Sequence, residues 1–432
     1  MVGTGVFTSL GLQAAQIRSP GMLLMLWVLG GALALCGALS YAELSTALPR
    51  SGGEFNFLSR IYHPAVGFMA GWTSVTVGFA APLALAAMAF GKYFQASLPG
   101  ASPLLASVGI VLIVTLAHLF RLNFGAWFQN TFTSLKLLLI FAFIFAGFWL
   151  GATHPVSFLP RPGDVPQALG PPFAISLIYV MYAYSGWNAS VYIAQEVDSP
   201  QRNLPRSLLF GTLLVTFLYV ALNAVFLLTT PLHEMAGQID VGALSAIHIF
   251  GPIGGRLVSG LISLALISCI SAMTWAGPRV WQVMGEDYPI LGVLAGKSRA
   301  GIPVAALVFQ ALIVILLLVT STFEVVLVYT QFTLNLCAFL TVLGVFVLRR
   351  TQPRLERPYR AWGYPFTPLA FLLIVGATMF YFIGTKPLES VAGFCTLAIG
   401  LLIYIISPRC SQVAHPESII KIELPNEPKP EL

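Results

Sequence analysis

Charge is scarce in this chain. Asp, Glu, Lys and Arg make up 9% of its 432 residues, against about 25% in an ordinary soluble domain, which excludes a water-soluble globular enzyme. Histidine is equally thin: the six, at 63, 118, 154, 233, 248 and 415, form no HExxH or clustered set, so no metal site is indicated. Five cysteines, Cys36, Cys269, Cys337, Cys395 and Cys410, are scattered, four of them inside apolar stretches. They read as small hydrophobes and supply neither a disulfide framework nor a CxxC metal motif. No P-loop is present, so ATP-driven transport would need another subunit. Gly3-Thr4-Gly5 lacks the third glycine and the βαβ setting of a dinucleotide fingerprint, which removes an oxidoreductase reading and leaves no cofactor implied. No convergent acid–base set marks an intramembrane enzyme. The surplus of 22 Lys and Arg over 16 Asp and Glu contains no basic run suited to nucleic acid. No basic leader with a cleavage site opens the chain, which argues against a removable signal peptide.

What the chain has instead is apolar length. Hydrophobic residues make up 57%, and twelve membrane crossings of about 20 residues would use about 240 of them. Apolar runs bounded by Pro, Gly and charge predict a half-length segment near 1–17. Full spans follow near 20–47, 64–96, 103–120, 127–150, 171–197, 205–229, 252–280, 302–320, 323–348, 366–384 and 388–406. That is an all-α membrane domain over 1–407, followed by a Pro-rich, charge-alternating tail at 408–432 read as flexible and cytoplasmic. With the first segment ending outside, sixteen of the 22 basic residues fall on the inner side, Arg50, Arg60, Arg202, Arg349 and Arg357 among them. Only Arg18, Lys92, Arg161, Arg256 and Lys386 fall outside, and Lys136 lies within a span. This asymmetry sets the orientation.

Two segments, five apart, carry small helix-weakening residues at comparable places: Gly3-Thr4-Gly5 and Ser185-Gly186. Paired interruptions of this kind point to a transporter site built from discontinuous helices in an inverted repeat, although glycines also serve close helix packing. An unwound turn in a membrane must give its backbone groups something to bind. The N–H groups of Gly3, Thr4 and Gly5, at the positive end of a half-helix, suit a carboxylate. The carbonyls around Tyr182, Ala183 and Tyr184 suit an ammonium. A zwitterionic amino acid matches both.

Tyr41-Ala42-Glu43-Leu44, Pro49-Arg50-Ser51-Gly52-Gly53-Glu54-Phe55 and Gly71-Trp72 resemble the second-to-third-segment signature of the amino acid–polyamine–organocation superfamily. Ala183-Tyr184-Ser185-Gly186-Trp187-Asn188, then Glu196 and Arg202-Asn203-Leu204-Pro205, are similar to segment six of its L-type amino acid transporter branch and bacterial relatives. Gly277-Pro278-Arg279-Val280, Arg357-Pro358-Tyr359 and Tyr364-Pro365 fit later loops of the family. The resemblance implies a LeuT-type fold. Two inverted five-helix repeats, about 1–150 and 171–348, are followed by two further helices within 366–406, and amino acids move by alternating access. It makes Gly3, Thr4 and Gly5 the carboxylate-binding turn and Tyr182 an aromatic gate. Ser185 stands where many L-type members have Gly, and Ala189 replaces a larger aromatic found in some. Trp187 and Asn188 match the family. It also implies that Lys136 in segment five is a fixed cation in place of sodium, tying the first-helix turn to segment eight, with Ser271 and Thr274 as candidate partners.

A lysine inside a span is a functional-site expectation by default, its ammonium costing about 2.5–3.5 kcal/mol at a helix centre. No Asp or Glu falls at mid-span depth to hold Na⁺, so sodium coupling is disfavoured. No acid or base in segments one, six or eight is expected to pair with a charged substrate side chain, so neutral L-amino acids are preferred, with Tyr182, Trp187, Met273 and Trp275 as apolar lining. The expected protein is a Na⁺-independent plasma-membrane carrier working by exchange or facilitated uptake. Two rivals stand: a proton symporter using Lys136, and an amino acid sensor that binds without moving its ligand. Eukaryotic L-type members join a heavy chain through a cysteine after segment three. The loop from Lys92 to Pro103 has none, so a disulfide-linked heavy chain is not expected, and oligomeric state is left open. Family members carry a leader and a half-helix before the glycine turn. The native protein is therefore expected to have about a dozen or more residues ahead of Met1, half of a crossing at about 1.5 Å per residue.

Overall fold

In hydrocarbon every backbone group must be paired within the chain, so apolar segments of this length become helices. The computed structural model describes residues 1–120, 126–151, 155–159, 162–168, 170–298 and 301–407. Among them it contains helices and connecting turns and no strand. In chain order the principal helices are α1 (Gly5–Ala14), α2 (Pro20–Ala47), α3 (Glu54–Ile61), α4 (Pro64–Ser97), α5 (Pro103–Leu119), α6 (Ala126–Leu150) and α7 (Pro171–Tyr184). They continue with α8 (Pro200–Thr229), α9 (Val241–Asp287), α10 (Val304–Thr320), α11 (Phe323–Thr351), α12 (Phe366–Thr385) and α13 (Pro387–Ile406). Proline opens α2, α4, α5, α7, α8 and α13, where its missing N–H costs nothing. Side-chain oxygens of Ser19, Ser102 and Thr322 cap α2, α5 and α11, each accepting from a backbone N–H at 3.4 Å.

Among the described residues eight helices are long and apolar enough to cross a membrane, and α5, α7 and α10 are shorter apolar helices. With the half-length α1 they reproduce the expected series of segments. The differences are local. The span expected at 252–280 is the body of α9, which begins earlier and turns sharply at Gly251 (φ 75, ψ 179) ahead of Pro252. Within α4, Ser74–Phe79 forms a π-helical turn. The span expected at 171–197 stops at Tyr184. The amphipathic α3, with Phe55, Phe57 and Leu58 buried, was too short and polar to read as a span. The tail at 408–432, Arg121, Arg161 and Arg299 lie outside the described residues, as do the tail's Cys410, His415 and three basic residues, His154, and the side chain of Glu196.

Helices pair at a fixed offset. α1 packs on α7, α2 on α8, α4 on α9 and α5 on α10, each with the segment five places on. α2 also meets α7, and α4 meets α5 and α10, giving two groups bridged by α6, which touches both α8 and α9. α12 lies against α2 and α7, and α13 against α4. Phe145, Trp149, Phe217, Leu316 and Phe380 stay exposed on the outer surface, as expected of side chains facing lipid.

Two buried polar ties fix these groups. Gln13 of α1 is wholly buried. Its Nε2 donates to the Ser176 carbonyl at 3.1 Å, and its Oε1 accepts from Trp27 Nε1 at 3.0 Å, joining α1, α2 and α7. At the other end of α2, Glu43 is 1% exposed and accepts from Arg349 Nε at 2.8 Å, Arg349 Nη2 at 2.6 Å and the Ala361 N–H at 2.8 Å, with Arg357 Nε 3.6 Å away. Removing one partner leaves a buried carboxylate short of donors. Arg349→Ala is expected to cost on the order of 2 kcal/mol, moderated by the remaining Arg357, read as a lower melting temperature in detergent that Arg349→Lys partly restores.

Candidate functional site

α7 ends where its sequence turns small. Ser185 takes extended angles (φ −54, ψ 153) with its N–H on the Tyr182 carbonyl at 2.9 Å, and Gly186 has φ +83, a conformation that favours glycine. A 3₁₀ turn, Ala189–Glu196, resumes the chain. The Tyr182 carbonyl, expected to be free, is therefore occupied. The carbonyls of Ala183 and Tyr184 receive no backbone hydrogen bond among the described residues. At the facing break the first backbone donor is the Phe7 N–H, on the Thr4 carbonyl at 3.0 Å, and the N–H groups of Thr4 and Gly5 find no backbone acceptor there.

The two breaks press together. Thr4 Oγ1 and the Tyr182 hydroxyl are 2.7 Å apart and both residues are buried. Gly5 lies so close to α7 that a Cβ there would overlap the Ala183 backbone. A cavity of about 250 Å³ lies beside this contact. It runs from Tyr184, Ser185, Trp187 and Asn188 past Met273 and Trp275 to Ser51, Gly52 and Glu54. Of the residues expected to hold substrate, Tyr184, Ser185, Trp187 and Asn188 line it. Gly3, Thr4, Gly5, Tyr182 and Ala183 do not; Thr4 and Tyr182 are hydrogen-bonded to each other.

Lys136 is 7% exposed. Its Nζ lies 3.4 Å from the Val2 carbonyl and 3.3 Å from Cys269 Sγ, so it joins the start of the chain to α9. The α9 partner is thus Cys269 and not the expected Ser271 or Thr274. Ser271 Oγ sits 3.1 Å from His118 Nε2, and Thr274 donates to the Ile270 carbonyl.

Sequence reasoning missed the charged residues of the cavity. The expectation was that no acid or base in segments one, six or eight would pair with a charged substrate side chain; Arg279 of α9 lines the cavity, and Glu54 reaches it from α3, outside those segments. Arg279 lies over the Trp275 ring at 3.0 Å from its centroid. Glu54, at the start of α3 between two spans, is 3% exposed. Its Oε1 accepts from the Tyr41 hydroxyl at 2.5 Å and from Asn188 Nδ2 at 3.3 Å, while its Oε2 has no hydrogen-bond partner among the described residues. The available signal was the polar motif itself, an acid directly after Gly52 and Gly53, whose φ values of 111 and 55 tuck the chain inward. Burial pushes the Glu54 carboxyl up to about 7, against the two donors, which favour its charged form.

Apolar crossings, two broken helices in contact and a cavity sized for a small solute define a membrane carrier. The chain belongs to the amino acid permease family, whose model matches residues 1–406, and it is a multi-pass membrane transporter, not an enzyme. It is 27% identical over 420 residues to the b(0,+)-type amino acid transporter 1 of Mus musculus, covering 94% of this chain and 84% of that one. The serine/threonine exchanger SteT of Bacillus subtilis (strain 168) is 27% identical over 412 residues, 94% of this chain and 91% of the exchanger. Large neutral amino acids transporter small subunit 2 of Mus musculus is 25% identical over 433 residues, 95% and 80% of the respective chains.

Three outcomes are expected. Gly5→Ala forces α1 from α7 and lowers stability by about 1–3 kcal/mol. Gly109→Ala, within α5 with open space around its Cβ, is neutral or raises stability by about 0.5–1 kcal/mol; thermal unfolding in detergent compares them. The Glu54 carboxyl titrates near 7 in the folded protein against an ordinary 4.5, so stability falls as pH rises through that interval and stays lower above it. Glu54→Gln should raise the melting temperature more at about pH 8 than at about pH 5.

Proposed function

We propose that the protein is a Na⁺-independent carrier of neutral L-amino acids that works by alternating access in the plasma membrane, as an exchanger or facilitator. The observation that carries this reading is Lys136. Its ammonium bridges the Val2 carbonyl and α9, the place where a bound cation would join a broken first helix to its neighbour, so a covalently fixed charge takes that role. The breaks supply the rest. The N–H groups of Gly3, Thr4 and Gly5 hold the substrate carboxylate, and the Ala183 and Tyr184 carbonyls hold its ammonium, once the Thr4–Tyr182 contact parts. Ser185, Trp187 and Asn188 flank the side chain.

The preference for neutral substrates rests on the engagement of both charged lining residues within the protein. Arg279 stacks on Trp275 and Glu54 is held by Tyr41 and Asn188, so a charged substrate side chain would be buried without a partner. The offset-five pairing of helices supports two inverted repeats, about 1–150 and 171–348, with 366–406 as added helices, and the excess of basic residues on one side supports a cytoplasmic tail at 408–432. The relative from Mus musculus named a small subunit points to a partnered assembly for that protein. Here the Lys92–Pro103 loop carries no cysteine, and a carrier without a disulfide-linked heavy chain is the reading adopted.

Proteoliposomes loaded with unlabelled amino acid test this. Uptake of labelled neutral amino acids should persist when Na⁺ is replaced by a large organic cation and should be competed by other neutral amino acids. Lys136→Ala should cut the rate at least about tenfold, a loss of about 1.4 kcal/mol, while the protein stays folded. Binding without flux in the wild type, or normal uptake by Lys136→Ala, overturns the assignment.

A further inference from the structure

A buried carboxylate needs a cation or a full set of donors, and Glu54 has neither. It stands where three parts of the chain meet: Tyr41 comes from α2, Asn188 from the segment past the α7 break, and Glu54 itself opens α3. The other titratable neighbours are Tyr192, from the same segment as Asn188, and Cys337 of α11. Both are weak acids that offer no positive charge. On the α4 side Ser74 Oγ lies 3.3 Å from the Tyr192 hydroxyl and adds no charge. Arg279 reaches the same cavity from α9, but among the described residues no ion pair joins it, or any other cation, to Glu54. Glu43, on the same α2 helix as Tyr41, shows the contrast: it is equally buried and holds Arg349. Oε2 of Glu54 has no hydrogen-bond donor among the described residues.

We propose that Glu54 is a proton-binding site linking the carrier's conformation to cytoplasmic pH. The neutral acid holds α2, α3 and the segment past the break together, and loss of its proton to water opens that junction. The inference rests on the carrier reading and on the orientation that places the Ser51–Glu54 loop on the cytoplasmic side. The step is a simple exchange: the O–H bond breaks, the proton passes to water at the end of the cavity, and the carboxylate left behind draws water to Oε2, which the closed junction leaves without a donor, while Asn188 still donates to Oε1. The short Tyr41 contact stays with the charged form. Opening there releases substrate inward, so the ionised form is the faster one.

The experiment is exchange in proteoliposomes of known orientation, with external pH fixed and internal pH varied from about 5.5 to about 8.5. A single-proton transition centred near 7 should raise the rate by up to about tenfold over two pH units. Glu54→Gln should abolish the internal pH dependence, and Tyr41→Phe should move the midpoint upward by removing a donor that favours the charged form. A flat wild-type profile, or a transition retained by Glu54→Gln, overturns the proposal. Failure of the wild type to exchange any amino acid overturns the carrier reading instead. The proton site then still has its own readout in detergent. Trp187, whose ring is 4.6 Å from that of Tyr41, should change emission with the same midpoint, and the change should vanish in Glu54→Gln and in Trp187→Phe. No emission change in the wild type overturns the site.

Discussion

A peptide group in hydrocarbon must find its partner within the protein, and the architecture follows from how the chain meets that demand and where it relaxes it. The long spans satisfy it turn by turn. At Ser185 and Gly186 the ladder stops inside the protein, with the wall of a cavity on one side and α1 on the other. The loose ends are tolerable because neither faces lipid. Thr4, Gly5, Ala183 and Tyr184 thereby keep polar backbone groups available at a depth where water is scarce. On the proposed reading, these are the groups that meet the two charges of a zwitterion.

The second constraint is electrostatic. With 9% charged residues, the placement of each buried ion matters. Glu43 sits among two arginines and a backbone N–H, which makes the end of α2 a rigid corner. Lys136 finds a carbonyl and a thiol, a weaker setting. Glu54 accepts two donors and, among the described residues, meets no cation. Rigidity and responsiveness are thus distributed by the number of donors each charge is given.

Much of this was legible in the sequence because span length and proline position act locally. Proline at 20, 64, 103, 171, 200 and 387 marks helix starts, and the break at Ser185 announced itself through Gly186. What was not legible depends on distance in sequence. Cys269 and Ser271 are two residues apart on one helix, and which of them meets Lys136 is settled by the rotation of α9, which also carries the Gly251 turn. The carboxyl of Glu54 looked like part of a polar loop because its burial comes from Tyr41, Asn188 and Tyr192, the last two more than a hundred residues away. Thr4 and Tyr182 were both expected at the substrate, but their mutual hydrogen bond is a property of how α1 leans on α7.

That hydroxyl pair has a kinetic meaning. Two uncharged side chains 2.7 Å apart make a bond worth about 1 kcal/mol net, a few times less than a buried ion pair severed on one side. A closure built from a salt bridge would have to be broken against that larger energy in every cycle. On the proposed carrier reading, one built from Thr4 and Tyr182 parts within ordinary thermal fluctuation. The speed of such a carrier would then be left to the movement of whole helices, which proceeds over microseconds to milliseconds.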